Sequence, residues 1–245
     1  MSLITIGKGN AKAIISDLGA WLTLFNVGDK KILMLGYEYE QDGKTKRRGG
    51  LPILFPNAGK SIESENLKLS QHGFARDMKW QITYKSDNEL VLSLKDTKET
   101  FDQFPFHFIC NLTYLLNDNS LNVFLSVTNN SSIVMPIAPG FHPYFNLLQE
   151  KRDMFINPIN DFKFDGTTKY VNSKSPLKFE LPDVGKILLT YSDEFKNLSY
   201  WAQPDGNFIC IEPWVGEEGA IINTSQVVNV KPMQTLEFDL NIICT

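Results

Sequence analysis

Apolar and polar residues alternate with a period of two along most of this chain, and that pattern constrains the fold more than any other feature. Such alternation predicts half-buried β-strands. The predicted strands, in chain order, are Ala11–Ser16, Trp21–Asn26, Trp80–Lys85, Glu89–Lys95, Phe106–Leu116, Leu121–Thr128, Met154–Asn157, Ile187–Tyr191, Leu198–Ala202, Phe208–Glu212, Ala220–Asn223 and Thr235–Ile243. Helical signals are confined to Asp96–Phe104, which Asp96 or Thr97 would cap.

The scarcity of helices excludes a parallel α/β fold, because each parallel crossover needs a helix. Turn signals at regular spacing predict roughly 15–20 short strands. So many strands favour two large packed sheets over a single closed barrel. Since no Pro/Gly/Ser-rich linker divides the sequence, we expect residues 1–245 to form one all-β domain.

Charge and cysteine content exclude several classes of protein. The 245 residues carry 24 Lys and Arg against 28 Asp and Glu, which argues against a nucleic-acid binder. The sequence contains no apolar run of 18 or more residues, so we expect no membrane-spanning helix. The first residues do not resemble a signal peptide. Cys110, Cys210 and Cys244 have neither metal-site nor disulfide spacing, so we expect reduced thiols in a cytoplasmic protein.

Two of the three histidines lie in unusual local sequence. His72 precedes Gly73, which permits a close backbone approach or a positive φ. His142 lies in Gly-Phe-His-Pro-Tyr-Phe, where prolines stiffen the backbone around the imidazole. Each is either a side chain aimed at a ligand or an ordinary histidine with a hydrogen-bond partner. His107 alternates with aromatic residues in a predicted strand, and we expect it to be solvent-facing or hydrogen-bonded.

Glu212 is the strongest candidate among the carboxylates. It ends the apolar segment Phe208–Ile211 and is followed by Pro213 and Trp214, so it should be partly desolvated. Desolvation raises the pKa of a carboxylate toward values that suit a general base. The alternative is a glutamate that merely closes an edge strand.

The segment from Arg48 to Lys60 contains two glycines and two prolines that should shape a loop. Arg48 and Lys60 can both contact an oxygen-rich ligand, or they can be solvated surface cations. A zinc site is disfavoured because His72 and His142 are far apart in sequence and share no short metal-binding motif. A serine hydrolase is disfavoured by the lack of a Gly-x-Ser-x-Gly motif.

Together, four motifs resemble the aldose 1-epimerase (mutarotase) family, in particular its short bacterial branch. In chain order they are Arg48-Gly-Gly-Leu-Pro-Ile-Leu-Phe-Pro, His72-Gly-Phe-Ala-Arg, Gly140-Phe-His-Pro-Tyr-Phe and Ile211-Glu-Pro-Trp-Val-Gly. The first motif also resembles hexose-6-phosphate mutarotases. The order of the motifs agrees with the family, and the resemblance extends over most of the chain.

This resemblance implies a large antiparallel β-sandwich, the galactose mutarotase-like supersandwich. It also implies an enzyme that interconverts the α and β anomers of an aldohexose by ring opening, without a metal or cofactor. By position, Glu212 matches the base that takes the anomeric hydroxyl proton. His142 matches the acid that protonates the ring oxygen, and His72 matches a histidine that hydrogen-bonds on the ring-oxygen side. A carboxylate and an imidazolium whose pKa values straddle neutrality can perform both transfers.

Two departures from the family leave substrate binding open. Many members have an arginine where this chain has Lys60, and a lysine cannot reproduce the bidentate fork. Family members also bind sugar hydroxyls through an aspartate between the second histidine and the glutamate. The four aspartates considered for this role are Asp161, Asp165, Asp183 and Asp193.

The nature of the sugar also stays open at this point. Arg48, Lys60 and Arg76 lie in loops expected to flank His72, and these three cations would pair with a hexose 6-phosphate, the alternative to the leading interpretation of a free aldose. Asp77 counts against that alternative because it can neutralise Arg76. A non-catalytic carbohydrate-binding protein is a further alternative, although binding alone needs no acid/base pair. We expect a monomer whose partner is a small aldose or aldose phosphate.

Overall fold

The computed structural model describes residues 1–156, 159, 161–172, 174–222 and 226–245. The described strands, in chain order, are β1 (Leu3–Lys8), β2 (Ala11–Ser16), β3 (Leu22–Val27), β4 (Lys30–Lys31), β5 (Tyr37–Gln41), β6 (Lys44–Arg48), β7 (Ile53–Leu54), β8 (Ile62–Glu63), β9 (Lys68–Leu69), β10 (Gln81–Lys85), β11 (Glu89–Lys95), β12 (Phe108–Asn117), β13 (Ser120–Asn129), β14 (Met135–Ile137), β15 (Gly140–Phe141), β16 (Tyr144–Asn146), β17 (Lys169–Asn172), β18 (Leu177–Leu181), β19 (Gly185–Tyr191), β20 (Asn197–Trp201), β21 (Phe208–Trp214), β22 (Val228–Val230) and β23 (Thr235–Cys244). There are more of them than the predicted 15–20, because several have only two or three residues.

Helical structure is sparse, as predicted. The helix α1 spans Lys98–Gln103, and 3₁₀ turns span Ala75–Asp77 and Gln149–Met154. Thr97 caps α1 by accepting a hydrogen bond from the Thr100 amide. Among the described residues, no helix is long and apolar enough to cross a membrane.

Three sheets contain most of the strands, and their neighbouring strands run antiparallel. The largest has the order β10-β11-β12-β13-β23-β19-β18. The second has the order β17-β20-β21-β15-β7, with β16 also paired to β21, and the third has the order β1-β2-β3-β4. The pairs β5–β6, β8–β9 and β14–β22 form small separate ladders. The predicted all-β, antiparallel fold class is therefore confirmed.

A buried apolar cluster joins the three sheets. It includes Ile15 of β2, Leu112 of β12 and Ile211 of β21, and its members extend from Ile4 to Cys244. β12 and β13 of the large sheet alternate buried residues with half-exposed or exposed ones, as the period-two pattern predicts. One shared core supports the proposal that residues 1–245 form one domain.

Two predicted strands differ in the structure. Met154 closes a 3₁₀ turn and Ile156 forms an isolated bridge to Glu180, while Asn157 lies outside the described residues. Residues 220–222 form turns in which the Ile222 amide donates to the Gly219 carbonyl; Asn223 lies outside the described residues. In both segments the apolar run is so short that the sequence pattern cannot tell a strand from a turn packed against the core.

Candidate active site

Strand β21 separates the core from the candidate site. Its residues alternate between two faces: Ile209 and Ile211 join the main core, whereas Cys210, Glu212 and Trp214 lie on the opposite face. The whole strand is nevertheless buried, because loops and small strands cover the second face. A carboxylate on that face is consequently withdrawn from water.

The strand register brings His142 next to Glu212. Gly140 pairs with Trp214 and Tyr144 pairs with Cys210, so His142, midway between them, lies opposite Glu212. On the other side of β21, Ser199 of β20 pairs with Glu212. The Glu212 carboxylate is therefore flanked by an imidazole and a hydroxyl from the two adjacent strands.

The Glu212 carboxylate is 2% exposed and has three polar neighbours. Trp214 Nε1 donates to Oε2 at 3.2 Å, and the Ser199 hydroxyl donates to Oε1 at 3.5 Å. His142 Nδ1 lies 3.4 Å from Oε2. Burial raises the pKa of Glu212 well above its ordinary value, and the two hydrogen bonds oppose this rise only in part.

His142 is held by its backbone and by an aromatic neighbour. Its amide donates to the Pro52 carbonyl at 3.1 Å, and its ring stacks on Tyr144 with 4.6 Å between centroids. Its Nδ1 is buried and forms no hydrogen bond within the described part of the chain, because its approach to Glu212 is poorly aligned. Burial, and then the charges of His72 and Arg76, lower the pKa of His142 well below its ordinary value.

His72 adopts a backbone conformation that side-chain-bearing residues rarely use, with φ +64°. Two hydrogen bonds with Gly59 fix its position. The His72 amide donates to the Gly59 carbonyl, and the Gly59 amide donates to His72 Nδ1 at 3.1 Å. The neutral ring therefore carries its proton on Nε2. Burial, with Arg76 as a second cause, lowers the pKa of His72 to about 3.

Gly73 gives His72 its position, as the sequence predicts. Its φ is +71°, and a Cβ atom there would lie 2.1 Å from the Phe55 carbonyl oxygen. The rings of His72 and His142 meet edge to face with 5.4 Å between centroids.

A cavity of about 700 Å³ opens onto these three side chains, a size that suits a small-molecule ligand. His72, His142 and Glu212 all line it, so the structure brings the three predicted residues together. Trp201 and Tyr170 also line the cavity and offer aromatic faces to a ligand.

Of the three predicted substrate-binding cations, two reach the cavity. Arg48 lines it and donates to the Gln203 side chain and, at 3.1 Å, to the Tyr39 hydroxyl. Arg76 lines it as well, and its Nε lies 3.8 Å from Asp77, the neighbour expected to offset its charge.

Lys60 is not brought to the cavity. Its side chain is 75% exposed and forms an ion pair of 2.7 Å with Glu218, which does line the cavity. Lys60 thus points toward solvent, whereas the Glu218 carboxylate faces the cavity. The sequence predicts that Lys60 contacts the sugar, and its position differs from that prediction.

The four candidate aspartates do not line the cavity either. Asp183 pairs with Lys151, and Asp165 accepts hydrogen bonds from Thr167. The carboxylates that line it are Asp77, Glu212 and Glu218. His107, by contrast, is exposed and pairs with Asp96 at 2.8 Å, as expected of a histidine with a hydrogen-bond partner, but it precedes β12 instead of lying within the predicted strand.

Sequence reasoning missed two groups of cavity residues. Ser199 has no local signal, because its contact with Glu212 depends on the pairing of β20 with β21. Lys44 and Lys46 lie on the β5–β6 hairpin, whose alternating charges are the signal that could have revealed them. The site also contains a potential metal-binding set. It consists of one nitrogen of His142, Cys210 Sγ and one oxygen of Glu212, which all lie within 4.8 Å of one another.

Comparison with known proteins agrees with the geometry. The protein LacX of Lactococcus lactis subsp. lactis is 25% identical, in an alignment that covers 80% of this chain and 86% of LacX. The Slr1438 protein of Synechocystis sp. PCC 6803 superimposes with a TM-score of 0.81 at 26% identity, over 99% of this chain and 95% of its own.

A galactose mutarotase-like protein from Lactobacillus casei ATCC 334 gives a TM-score of 0.76 at 26% identity, with 99% of both chains covered. These neighbours share the galactose mutarotase-like fold that the motifs imply. The model of the aldose 1-epimerase family matches residues 2–183, well over half of the sequence. The chain therefore belongs to the aldose 1-epimerase family.

Proposed function

We propose that this protein is an isomerase, an aldose mutarotase that interconverts the α and β anomers of an aldohexose. The observation that carries the proposal is the buried pair of Glu212 and His142, 3.4 Å apart, with His72 beside it at one cavity. The family match makes a sugar the natural ligand.

Ring opening requires one proton to leave the anomeric hydroxyl and one to reach the ring oxygen. We assign the first transfer to Glu212 and the second to His142. His72 carries its proton on Nε2 and donates a hydrogen bond on the ring-oxygen side. Rotation about the C1–C2 bond presents the other face of the aldehyde, and the two transfers then run in reverse.

The directions of the pKa shifts refine the expectation from the sequence. Burial disfavours both the carboxylate and the imidazolium, so the neutral pair of carboxylic acid and imidazole is favoured over the ion pair. The two pairs contain the same number of protons. The assigned transfers therefore require a proton to pass first from Glu212 to His142. The ion pair becomes the neutral pair again when it opens the sugar, so burial opposes formation of the ion pair and favours the ring-opening step that follows.

The test is anomer-exchange NMR on a panel of free and phosphorylated aldoses, supported by polarimetry of freshly dissolved α-glucose and α-galactose. We expect the protein to accelerate mutarotation of at least one sugar. A panel on which no sugar is accelerated, at protein concentrations where binding is detected, would instead establish a carbohydrate-binding protein.

A hexose 6-phosphate is the second candidate substrate. The observation that favours it is the set of cations lining the cavity: Lys44, Lys46, Arg47, Arg48 and Arg76. A phosphate carries about two negative charges near neutral pH and would pair with them. In the described part of the chain Lys44 and Lys46 form no ion pair, whereas Arg47 and Arg76 share Asp77.

A further inference from the structure

We propose that His142, Cys210 and Glu212 form a binding site for a thiophilic divalent cation such as Zn²⁺ or Cd²⁺, and that the bound ion blocks the sugar site. The ion is an inhibitor in this proposal and has no part in the reaction. Binding of the ion is independent of the proposed function, whereas inhibition rests on it.

The strand register places the three ligands together. Cys210 and Glu212 are two residues apart on one face of β21, and His142 lies opposite Glu212 on the adjoining segment. Their potential ligand atoms all lie within 4.8 Å of one another. The set is thus built into the sheet, whose backbone hydrogen bonds fix the spacing of the three side chains.

The distances are close to those that a tetrahedral ion needs. Two ligand atoms that each lie about 2.1 Å from a tetrahedral Zn²⁺ are about 3.4 Å apart. His142 Nδ1 and Glu212 Oε2 are 3.4 Å apart. The three ligand atoms lie within 4.8 Å of one another, so the sulfur has to approach by about 1 Å at most to complete the set.

The state of His142 Nδ1 independently favours a bound cation. This atom is buried, and within the described residues it forms no hydrogen bond. A buried polar atom without a partner is costly, and a cation at this point would accept its lone pair. Because His142 and Glu212 line the cavity, an ion has a path to them.

The donor set selects the kind of ion. A thiolate, an imidazole and a carboxylate are the ligands of zinc sites, whereas Mg²⁺ and Ca²⁺ prefer oxygen ligands alone. One thiolate and one carboxylate balance the two positive charges of the ion, so the occupied site is neutral in its buried surroundings. The thiol proton of Cys210 and the carboxylic-acid proton that the neutral pair holds on Glu212 are both released to solvent on binding.

Direct binding is tested with Cd²⁺, whose bond to a thiolate gives an ultraviolet charge-transfer band. The variants Cys210→Ala and Cys110→Ala form a matched pair, since both thiols are fully buried and Cys110 lies in β12 of the large sheet. We expect one equivalent of the band in the wild type and in Cys110→Ala, and its loss in Cys210→Ala. A band that Cys210→Ala retains, or no band in the wild type, would overturn the proposal.

Inhibition is tested with Zn²⁺, scoring each variant against its own activity without metal. We expect the concentration for half inhibition to rise about tenfold or more in Cys210→Ala and to stay unchanged in Cys110→Ala. Mg²⁺ should not inhibit any of the proteins. Equal Zn²⁺ sensitivity of both variants would refute the blocking role.

The two readouts separate the possible failures. If the protein turns over no sugar, the Cd²⁺ titration still decides whether the ion binds. If Cys210→Ala does not fold, as judged by circular dichroism, Cys210→Ser retains the volume of the side chain and replaces it in both tests. A Cd²⁺ band that survives in Cys210→Ser would again rule out the site.

Discussion

Glu212 is the residue on which the proposed reaction depends most directly, and Glu212→Gln tests it. Glutamine keeps the shape of the side chain, and its oxygen can accept from Trp214 while its amide group donates to the Ser199 oxygen, but it cannot take up a proton. We expect mutarotation to fall by about 10²- to 10⁴-fold with the fold unchanged. Polarimetry or NMR exchange measures the rate, and circular dichroism measures the fold.

Glu237→Gln is the matched control for this prediction, because Glu237 undergoes the same chemical change on the exposed face of β23. It should keep the wild-type rate. If Glu212→Gln retains activity within a few-fold of Glu237→Gln, then Glu212 is not the base.

Gly73→Ala is predicted to disturb the site through the backbone alone. The new Cβ atom would lie 2.1 Å from the Phe55 carbonyl oxygen at a φ of +71°, so the chain must shift and carry His72 with it. Gly28→Ala is the control: φ is also positive, at +58°, but no atom lies within 4 Å of the new Cβ.

Gly28→Ala should therefore lower the free energy of unfolding by only about 1–2 kcal/mol, the cost of placing a side chain in the left-handed conformation. Gly73→Ala should lose more stability than this in urea denaturation, and most of its activity as well. Similar losses in the two variants would show that the backbone around His72 tolerates a side chain.

Local sequence identifies the proton-transfer residues better than it identifies their surroundings. Glu212, His142 and His72 each lie in a short distinctive motif, and the structure brings all three to one cavity. The proximity of Ser199 to the site could not be predicted, because it follows from the pairing of β20 with β21. Lys60 was placed wrongly because a motif does not show which way a loop side chain turns.

At the scale of elements, the β5–β6 hairpin is divided into two faces of different charge. Opposite residues of an antiparallel pair share a face. Tyr39 pairs with Lys46 and Gln41 with Lys44, and all four line the cavity. On the other face Arg47 and Thr45 line it too, but they pair with Glu38 and Glu40, which do not. The face of Lys44 and Lys46 thus carries cations without a carboxylate.

The double variant Lys44→Gln/Lys46→Gln tests whether this face binds phosphate. If the substrate is a hexose 6-phosphate, its KM should rise about tenfold, since each partly exposed charge pair contributes up to about 1 kcal/mol. The KM for the free hexose should stay within about twofold, and added salt should narrow the difference between wild type and variant.

Lys12→Gln, on the exposed side of β2, provides the control for a general loss of positive charge. It should leave both KM values unchanged. An equal effect of the double variant on the phosphorylated and the free sugar would leave the hairpin lysines without a role in phosphate binding.

Strands with one buried face were predictable from their pattern. β12, β13 and β23 alternate buried with half-exposed or exposed residues, and the period-two pattern located all three. β10 has no buried residue and was nevertheless predicted, within Trp80–Lys85. β5 has no buried residue either and was not predicted, although its Tyr and Glu residues alternate before Asp42-Gly43, a pair typical of hairpin turns.

At the scale of the whole molecule, β23 connects parts of the chain that are far apart in sequence. It pairs with β13 on one side and with β19 on the other, in the middle of the largest sheet. Contacts of such long sequence separation form late and slowly. We therefore expect the stability of the whole fold, rather than of one segment, to respond to a defect in this strand.

Leu240→Ala measures that dependence. Leu240 is fully buried and is paired on both sides, with Val123 and with Tyr191. We expect its truncation to lower the free energy of unfolding by about 2–5 kcal/mol, because the lost contacts leave a cavity between paired strands. Glu237→Ala, on the exposed face of the same strand, should change the free energy of unfolding by no more than about 0.5 kcal/mol.

Both free energies are measured by urea denaturation followed by circular dichroism and tryptophan fluorescence. The two probes should report one coincident transition if all sheets unfold together. A transition that splits between the probes, or a loss below 1 kcal/mol for Leu240→Ala, would mean that the sheet containing Glu212 is stable without β23.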